Sequence, residues 1–368
     1  MAVDDSKMAY HDLTKAVRLS GPIDTSLPYD VLSVAGKTIL ITGGSLGLGA
    51  NFARHWASHG ANLMIGDIND EAGHKLIAEL RTKYPKASHH FFHCDVTDWD
   101  SQVAFFKAAA AASPHGGIDV VVANAGIVDP KSNRRFENPE AIPTDPDAPY
   151  KPSTKILDVN ITGAMYTANL ALFWLPRNGS DKVNSDEKPE ADGRDRCLLF
   201  LGSYAGVWHL CGQSHYTASK HAITGLFRAM RGTAWKHGVR VTMLCPYFVS
   251  ESSMFPLGAE AAFLTGTAGP AQHADVLDAA TRLIADESIV GRALLIGPKV
   301  AIDDPDVDDA KKDERAVWDC YAEDYTDSEA FVWRWVRAMN AVEKSRGWLG
   351  LFWDIFGVIV RGSKKKSS

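Results

Sequence analysis

The sequence predicts an α/β fold: a doubly wound parallel sheet with helices on both faces, followed by a helical C-terminal extension. Three observations predict it. Short β-branched runs alternate with helical stretches along most of the chain, the order that builds a parallel sheet covered on both faces. The first run, Lys37-Thr-Ile-Leu-Ile-Thr42, ends in glycines and reads as a buried strand entering a tight turn. The chain has 368 residues, 45% of them hydrophobic, enough to bury a sizeable core.

The elements follow in order. After the first strand, Asn51 to His59 continues as a helix and Asn62-Leu-Met-Ile-Gly-Asp67 as a second strand. Residues 70–83 are helical in pattern. His90-Phe-Phe-His-Cys94 is a third strand and the alanine-rich Ser101 to Ala112 a third helix. Ile118 to Ala123 is a fourth strand, Lys155 to Leu175 a long helix, and Cys197 to Leu201 a fifth strand. Tyr216 to Lys236 is a further helix, Val239 to Leu244 a sixth strand and Ala293 to Ile296 a seventh. Val128 to Pro152, rich in Pro, Asp and Asn, and the charged Asn178 to Arg196 read as surface insertions. Residues 1–35 read as a loosely packed leader, 36–300 as the main domain, and 301–368 as the extension.

Composition narrows the function. The net charge is -6, which does not suit a nucleic-acid binder. Five cysteines with no C-x-x-C spacing give no support for a disulfide framework or a zinc site, and no metal is expected. The N-terminus has no apolar signal-like segment, and no apolar run reaches the roughly 20 residues of a membrane span. A cytoplasmic protein is expected. The one reservation is the stretch Gly347 to Val360, with Arg361 and Lys364 to Lys366 after it. It reads either as a peripheral membrane contact or as a tail packed on the main domain or a second subunit.

The chemistry starts at the first turn. Thr42-Gly-Gly-Ser-Leu-Gly-Leu-Gly49 lies between a strand and a helix, and Gly43, Gly47 and Gly49 suit a backbone that must approach a phosphate. Asp67 ends the second strand, 18 residues beyond Gly49. Its carboxylate there either accepts hydrogen bonds from ribose hydroxyls or serves an ordinary turn. It would repel a 2′-phosphate, and neither Ser45, Leu46 nor Ile68 supplies a compensating charge, so NAD is favoured over NADP.

Tyr216-Thr-Ala-Ser-Lys220 opens a helix, placing Tyr216 and Lys220 on one face, one turn apart. A lysine ammonium beside a phenol stabilises the phenolate and tunes it for proton transfer. Taken with Thr42-Gly-x-x-x-Gly-x-Gly49, Asp95-Val96, Asn124-Ala-Gly126, Asn160 and Ser203, in that order, the chain resembles the short-chain dehydrogenase/reductase family over about residues 38 to 297. The resemblance implies a Rossmann-type fold and a nicotinamide cofactor. It implies that Tyr216 exchanges a proton with the substrate oxygen and that Ser203 holds that oxygen. Lys220 would tune Tyr216 and bind the nicotinamide ribose, and Asn160 would anchor a water leading to Lys220. Asp95 and Val96 would line the adenine site, and Asn124 would support the strands beside the cofactor. Plainer roles stand beside these: a turn cap for Ser203, backbone satisfaction at a helix kink for Asn160, an N-cap for Asp95.

The pattern departs from the family after the sixth strand. Pro246-Tyr-Phe-Val-Ser-Glu-Ser252 has Tyr247 where the family has glycine and Glu251 where it has threonine. Val249 still matches and is expected to meet the carboxamide. Bulky side chains at Tyr204–Gln213, Met254–Leu257 and Phe263–Leu264 suggest an apolar small-molecule substrate, or simply a closed core. The leading expectation is NAD-linked oxidation of a secondary alcohol, with a homo-oligomer implied by the resemblance. The alternatives are an NAD-binding regulatory or scaffold protein of the same fold, and a lyase or epimerase using bound NAD.

Overall fold

The computed structural model describes residues 19–139, 148–149, 151–178, 194–250, 264, 267–301 and 314–320, with Ala338, Ala341 and Ser345 as single helical residues. Among these, eight strands form one sheet. They are β1 (Thr38–Thr42), β2 (Asn62–Asp67), β3 (His89–His93), β4 (Val120–Ala123), β5 (Cys197–Leu201), β6 (Arg240–Pro246), β7 (Ala293–Ala301) and β8 (Glu314–Cys320). Their spatial order is β3-β2-β1-β4-β5-β6-β7-β8. The first seven run parallel; β8 lies antiparallel to β7, with Ala293 opposite Cys320.

The helices are α1 (Gly47–Ser58), α2 (Asp70–Lys83), α3 (Trp99–Ala112), α4 (Pro130–Glu137), α5 (Lys155–Leu157), α6 (Ala164–Trp174), α7 (Ser214–Met230) and α8 (His273–Ala285). A π-helical turn, Asp158–Gly163, joins α5 to α6. The two-residue period of a strand divides the core. Ile39, Ile41, Leu63 and Ile65 pack under α1, α2 and α8. Leu40, Met64, Val121 and Phe200 pack under α3, α6 and α7. Each such fully buried side chain contributes about 1.5–3 kcal/mol. The indole of Trp56 on α1 donates to Thr281 Oγ1 on α8 at 2.9 Å, so the one polar atom of that ring is satisfied inside the layer.

The strand order reverses between β1 and β4. The segments leaving those two strands diverge and open a crevice at the sheet's C-terminal edge, where such folds bind ligands. The opposite edge is closed by ion pairs. Asp195 accepts from Lys37 at 2.9 Å and from Arg240 at 2.7 Å. Burial pushes the Asp119 carboxyl up, but hydrogen bonds from His115, Arg194 and the Thr38 N–H outweigh it and hold it at about 2.

The differences from the sequence reading are local. Helix α1 begins at Gly47 rather than Asn51, because its first turn includes Gly47 and Gly49 of the glycine-rich turn itself. The supposed surface insertion after β4 contains α4, started by Asp129 as N-cap with Pro130 at the first helical position. The ends of the charged insertion, Asn178 and Arg194 to Arg196, take part in buried or half-buried bonds rather than lying in solvent. The described part of the leader, residues 19–35, is tied down: Ile23 N donates to Asp319 Oδ2 at 2.7 Å and Thr25 Oγ1 to Val317 O at 3.2 Å. The extension was expected to be helical, yet its described segment, Glu314–Cys320, is an eighth strand. Its other described residues are Ala301, in β7, and Ala338, Ala341 and Ser345, which are helical; the rest, including the Gly347–Val360 stretch, lies outside the described residues. No helix among the described residues is long and apolar enough to cross a membrane.

Candidate active site

The glycine-rich turn leaves β1 with two residues in the left-handed region, Gly43 at φ 62° and Gly47 at φ 55°. Gly49 is required for a different reason: a Cβ there would sit 2.5 Å from Gly43 O and 2.7 Å from Asn124 Nδ2. Asn124, at the end of β4, stitches the turn in place by donating to Thr42 O at 2.9 Å and Gly43 O at 2.8 Å. Leu46 occupies the N-cap of α1, exposed and without a side-chain acceptor, so the first-turn N–H groups of α1 are left for a ligand. The Ser45 hydroxyl is buried with no hydrogen-bond partner among the described residues. Free donors and a helix N-terminus at one point fit a dinucleotide pyrophosphate.

Asp67 holds the same turn from β2. Its Oδ2 accepts from Ser45 N at 3.0 Å and its Oδ1 from Asn69 N at 3.0 Å. The carboxylate therefore serves the turn and still has acceptor capacity for hydroxyls. Asp95 does not cap α3; Asp98 does, accepting from Asp100 N. Asp95 instead closes a local turn onto Thr97, with bonds of 2.9 and 2.8 Å. Val96 is buried against Gly163, where a Cβ would meet Val96 Cγ2 at 2.7 Å.

The second group gathers at the ends of β5 and α7. Ser203, just past β5, accepts from Ala205 N at 3.1 Å and so does cap a 3₁₀ turn, Tyr204–Gly206. That bond uses a lone pair and leaves the hydroxyl proton free to donate. Tyr216 stands in the first turn of α7. Burial raises its phenol above the usual range, and a hydrogen bond with the Ser203 side chain works against that rise. Lys220 lies one turn further along α7. Its Nζ donates to Leu201 O at 2.9 Å and lies 5.8 Å from the Tyr216 ring centroid. Burial lowers the Lys220 amine to about 8.

Asn160 lies in the π-helical turn. Its Oδ1 accepts from Ile127 N at 2.8 Å, and its Nδ2 donates to Ile127 O and Ser219 Oγ, both at 3.0 Å. Ser219 in turn donates to Tyr216 O at 2.8 Å. A Cβ at Gly126 would stand 3.5 Å from Asn160 Oδ1 and 3.7 Å from Lys220 Nζ, so the glycine keeps the space between them open. The structure thus brings Asn160, Ser203, Tyr216 and Lys220 together. Gly206 also matters here, and the sequence reading did not single it out. Its Cβ would lie 2.5 Å from Lys220 O, so only glycine lets the turn after Ser203 touch α7.

Beyond β6, Tyr247 N donates to Ile296 O at 2.8 Å, and its ring meets Tyr204 edge-on at 4.9 Å. Val249 is buried and bridges Ala271, while Ser250 N is taken by Ala271 O. Glu251, Ser252, Met254–Leu257 and Phe263 lie outside the described residues; Leu264 is buried. Asn133 on α4, also missed, reaches the start of α7. Its only sequence signal is the Asp129-Pro130 helix start before it.

Comparison with known proteins agrees with this geometry. The family described as short chain dehydrogenase matches residues 37–259. The chain is 35% identical over 297 residues to 5′-hydroxyaverantin dehydrogenase of Emericella nidulans, covering 77% of this chain and 90% of that one. It is 31% identical over 280 residues to the NADP-dependent dehydrogenase M3 of a Phoma species, covering 74% of this chain and 77% of that one. A short-chain type dehydrogenase/reductase from Mycobacterium marinum superposes with a TM-score of 0.58 at 24% identity, over 73% of this chain and 97% of that one, a likeness of fold. On the family match across more than half its length, the chain belongs to the short-chain dehydrogenase/reductase family and is an oxidoreductase acting on CH–OH groups.

Proposed function

We propose that the enzyme oxidises a secondary alcohol on an apolar small molecule to the ketone, with NAD as the acceptor. A bound nicotinamide dinucleotide would supply the hydride acceptor. Gly43, Ser45, Leu46, Gly47 and Gly49 would hold its pyrophosphate, and Asp67, Asp95 and Val96 its adenosine half. Tyr216 Oη takes the proton of the substrate hydroxyl, and Ser203 Oγ donates to the same oxygen. Lys220, with its charge retained, draws Tyr216 toward the phenolate against the effect of burial. Asn160 Oδ1 and the gap beside Gly126 offer a route for the proton past Lys220 toward solvent. Val249 is assigned to the carboxamide through its backbone.

The observation that carries the reading is the convergence of Ser203, Tyr216 and Lys220 at the strand ends beside the glycine turn. The preference for NAD rests on Asp67 and on Ile68, an exposed apolar side chain where a 2′-phosphate would need a cation. One relative is named as NADP-dependent, so both cofactors belong in the test. The aromatic pair Tyr204 and Tyr247 supports a flat, apolar substrate.

Purified protein offered NAD or NADP with a panel of secondary alcohols should form reduced cofactor faster with NAD. Tyr216→Phe should lower kcat by at least roughly 100-fold, the scale of a lost general base, while cofactor binding persists. Cofactor binding without turnover of any alcohol would instead favour the binding-protein alternative.

A further inference from the structure

We propose that Asn133 is a positioning residue for the reaction: from α4 it caps the N-terminus of α7 and so fixes the orientation of Tyr216. The inference rests on the reading of Tyr216 as the proton-transfer residue and adds a residue that the family motifs do not include.

The first N–H groups of a helix need acceptors from outside the helix. Gln213, at the N-cap of α7, offers none from its side chain. Asn133 supplies one from the neighbouring helix. It is fully buried, and its Oδ1 accepts from His215 N, in the first turn of α7, at 2.9 Å. Its Nδ2 donates to Gln213 Oε1 at 2.8 Å and to Asp129 O at 3.0 Å. The Asn133 amide is therefore held on both sides, and so is the residue it caps. Two further contacts join the same elements. Ser214 Oγ donates to Glu137 Oε1, and the Phe136 ring meets His215 edge-on at 4.6 Å. His215 Nδ1 is buried with no partner among the described residues, so the hold on this ring comes from packing. Helix α4 thus grips residues 213–215, the three immediately before Tyr216.

Removing the cap leaves His215 N–H buried and unpaired. The cheapest relief is to unwind the first turn of α7, which carries Tyr216 away from Ser203 and Lys220. Proton transfer is sensitive to such movement: a misplacement of about 1 Å can cost on the order of 100-fold in rate. Cofactor contacts at the glycine turn are remote from α4 and should be spared.

Two substitutions separate positioning from mere stability. Asn133→Ala removes the acceptor. Asn133→Asp keeps an acceptor for His215 N; the bond to Asp129 O is lost, and the Gln213 amide can turn to donate to the carboxylate. Amide hydrogen exchange of the peptide spanning 213–220, measured without substrate, should quicken in Asn133→Ala and return to the wild-type rate in Asn133→Asp. With a secondary alcohol, Asn133→Ala should lower kcat about tenfold with KM for NAD within about twofold, and shift the acid limb of the kcat/KM profile; Asn133→Asp should restore both. Wild-type exchange and kcat in Asn133→Ala would overturn the proposal, as would an Asn133→Asp enzyme no better than Asn133→Ala. Should Asn133→Ala fail to fold, Gln213→Ala keeps the question open to measurement. It loosens the orientation of the Asn133 amide and should show a weaker form of the same changes; wild-type behaviour there would count against the idea. If the wild-type enzyme turns over no alcohol, the reading of Tyr216 falls first. If it does and Asn133→Ala matches it, this inference alone is lost.

Discussion

Lys220 is stored in a state it would not choose. Burial lowers its amine from 10.5 to about 8, and its Nζ donates to Leu201 O. Below about 8 the amine is charged in both the folded and the unfolded chain, and the native state bears the whole cost of burying that charge. Above about 10.5 it is neutral in both, and the cost disappears. The group therefore destabilises the fold by about 3 kcal/mol at neutral pH and less as pH rises through that window. Lys220→Met should raise Tm by a few degrees at pH 7, with a smaller gain near pH 10, while turnover collapses; calorimetry at the two pH values checks it. A variant less stable than wild type at pH 7 would show that the Leu201 bond outweighs the burial. The same accounting explains why the sequence alone could place Tyr216 and Lys220 together but not assign the balance between them. Spacing four apart on a helix gives proximity; the burial that lifts the phenol is made only when the elements pack.

At the scale of elements, the legible parts were those whose signal is local. Strand β1, its glycine turn and α1 follow one another within about twenty residues, and each carries its own punctuation. Gly49 is the point where they lock, and Gly49→Ala tests it. The new methyl would press on Gly43 O and Asn124 Nδ2, both already committed to the turn. Overpacking of that kind costs about 1–3 kcal/mol, so NADH affinity should fall at least roughly tenfold with the circular dichroism of the fold retained. Unchanged affinity in a fluorescence titration would remove the turn from the cofactor site. Helix α4 and strand β8 were illegible for two different reasons. Helix α4 is eight residues inside a stretch rich in turn formers, too short to show a period. Strand β8, Glu-Arg-Ala-Val-Trp-Asp-Cys, carries three charged residues and is an edge strand, so only β7 tells it what to be. One of those charges, Asp319, is paired with Arg292 at 2.5 Å, a partnership made by the sheet and invisible in the linear sequence.

At the scale of the whole molecule, the leader and β8 close one side together. Ser20 binds Val290, Ile23 binds Asp319, Thr25 binds Val317, Leu27 O accepts from Arg282, and Tyr29 reaches Asp278. The Arg282 guanidinium also stacks 4.5 Å over the Tyr29 ring. With about 0.5–1.5 kcal/mol for each bond, deleting residues 1–30 should lower Tm by about 5 °C or more, yet leave turnover at low temperature, since none of these bonds involves the glycine turn, Ser203, Tyr216 or Lys220. A thermal scan beside an activity assay checks both halves; an unchanged Tm would return the leader to the loosely packed segment the sequence suggested. The strap also has a meaning for how the molecule is made. Ile23 and Asp319 are 296 positions apart, and closing a loop of that length costs about 5 kcal/mol in chain entropy before any contact repays it. In N-to-C synthesis residues 20–29 leave the ribosome about 250 to 300 positions before their partners. These residues wait, unplaced, while the parallel strands assemble, so a segment made early settles late, once its partners at 278–319 are in place.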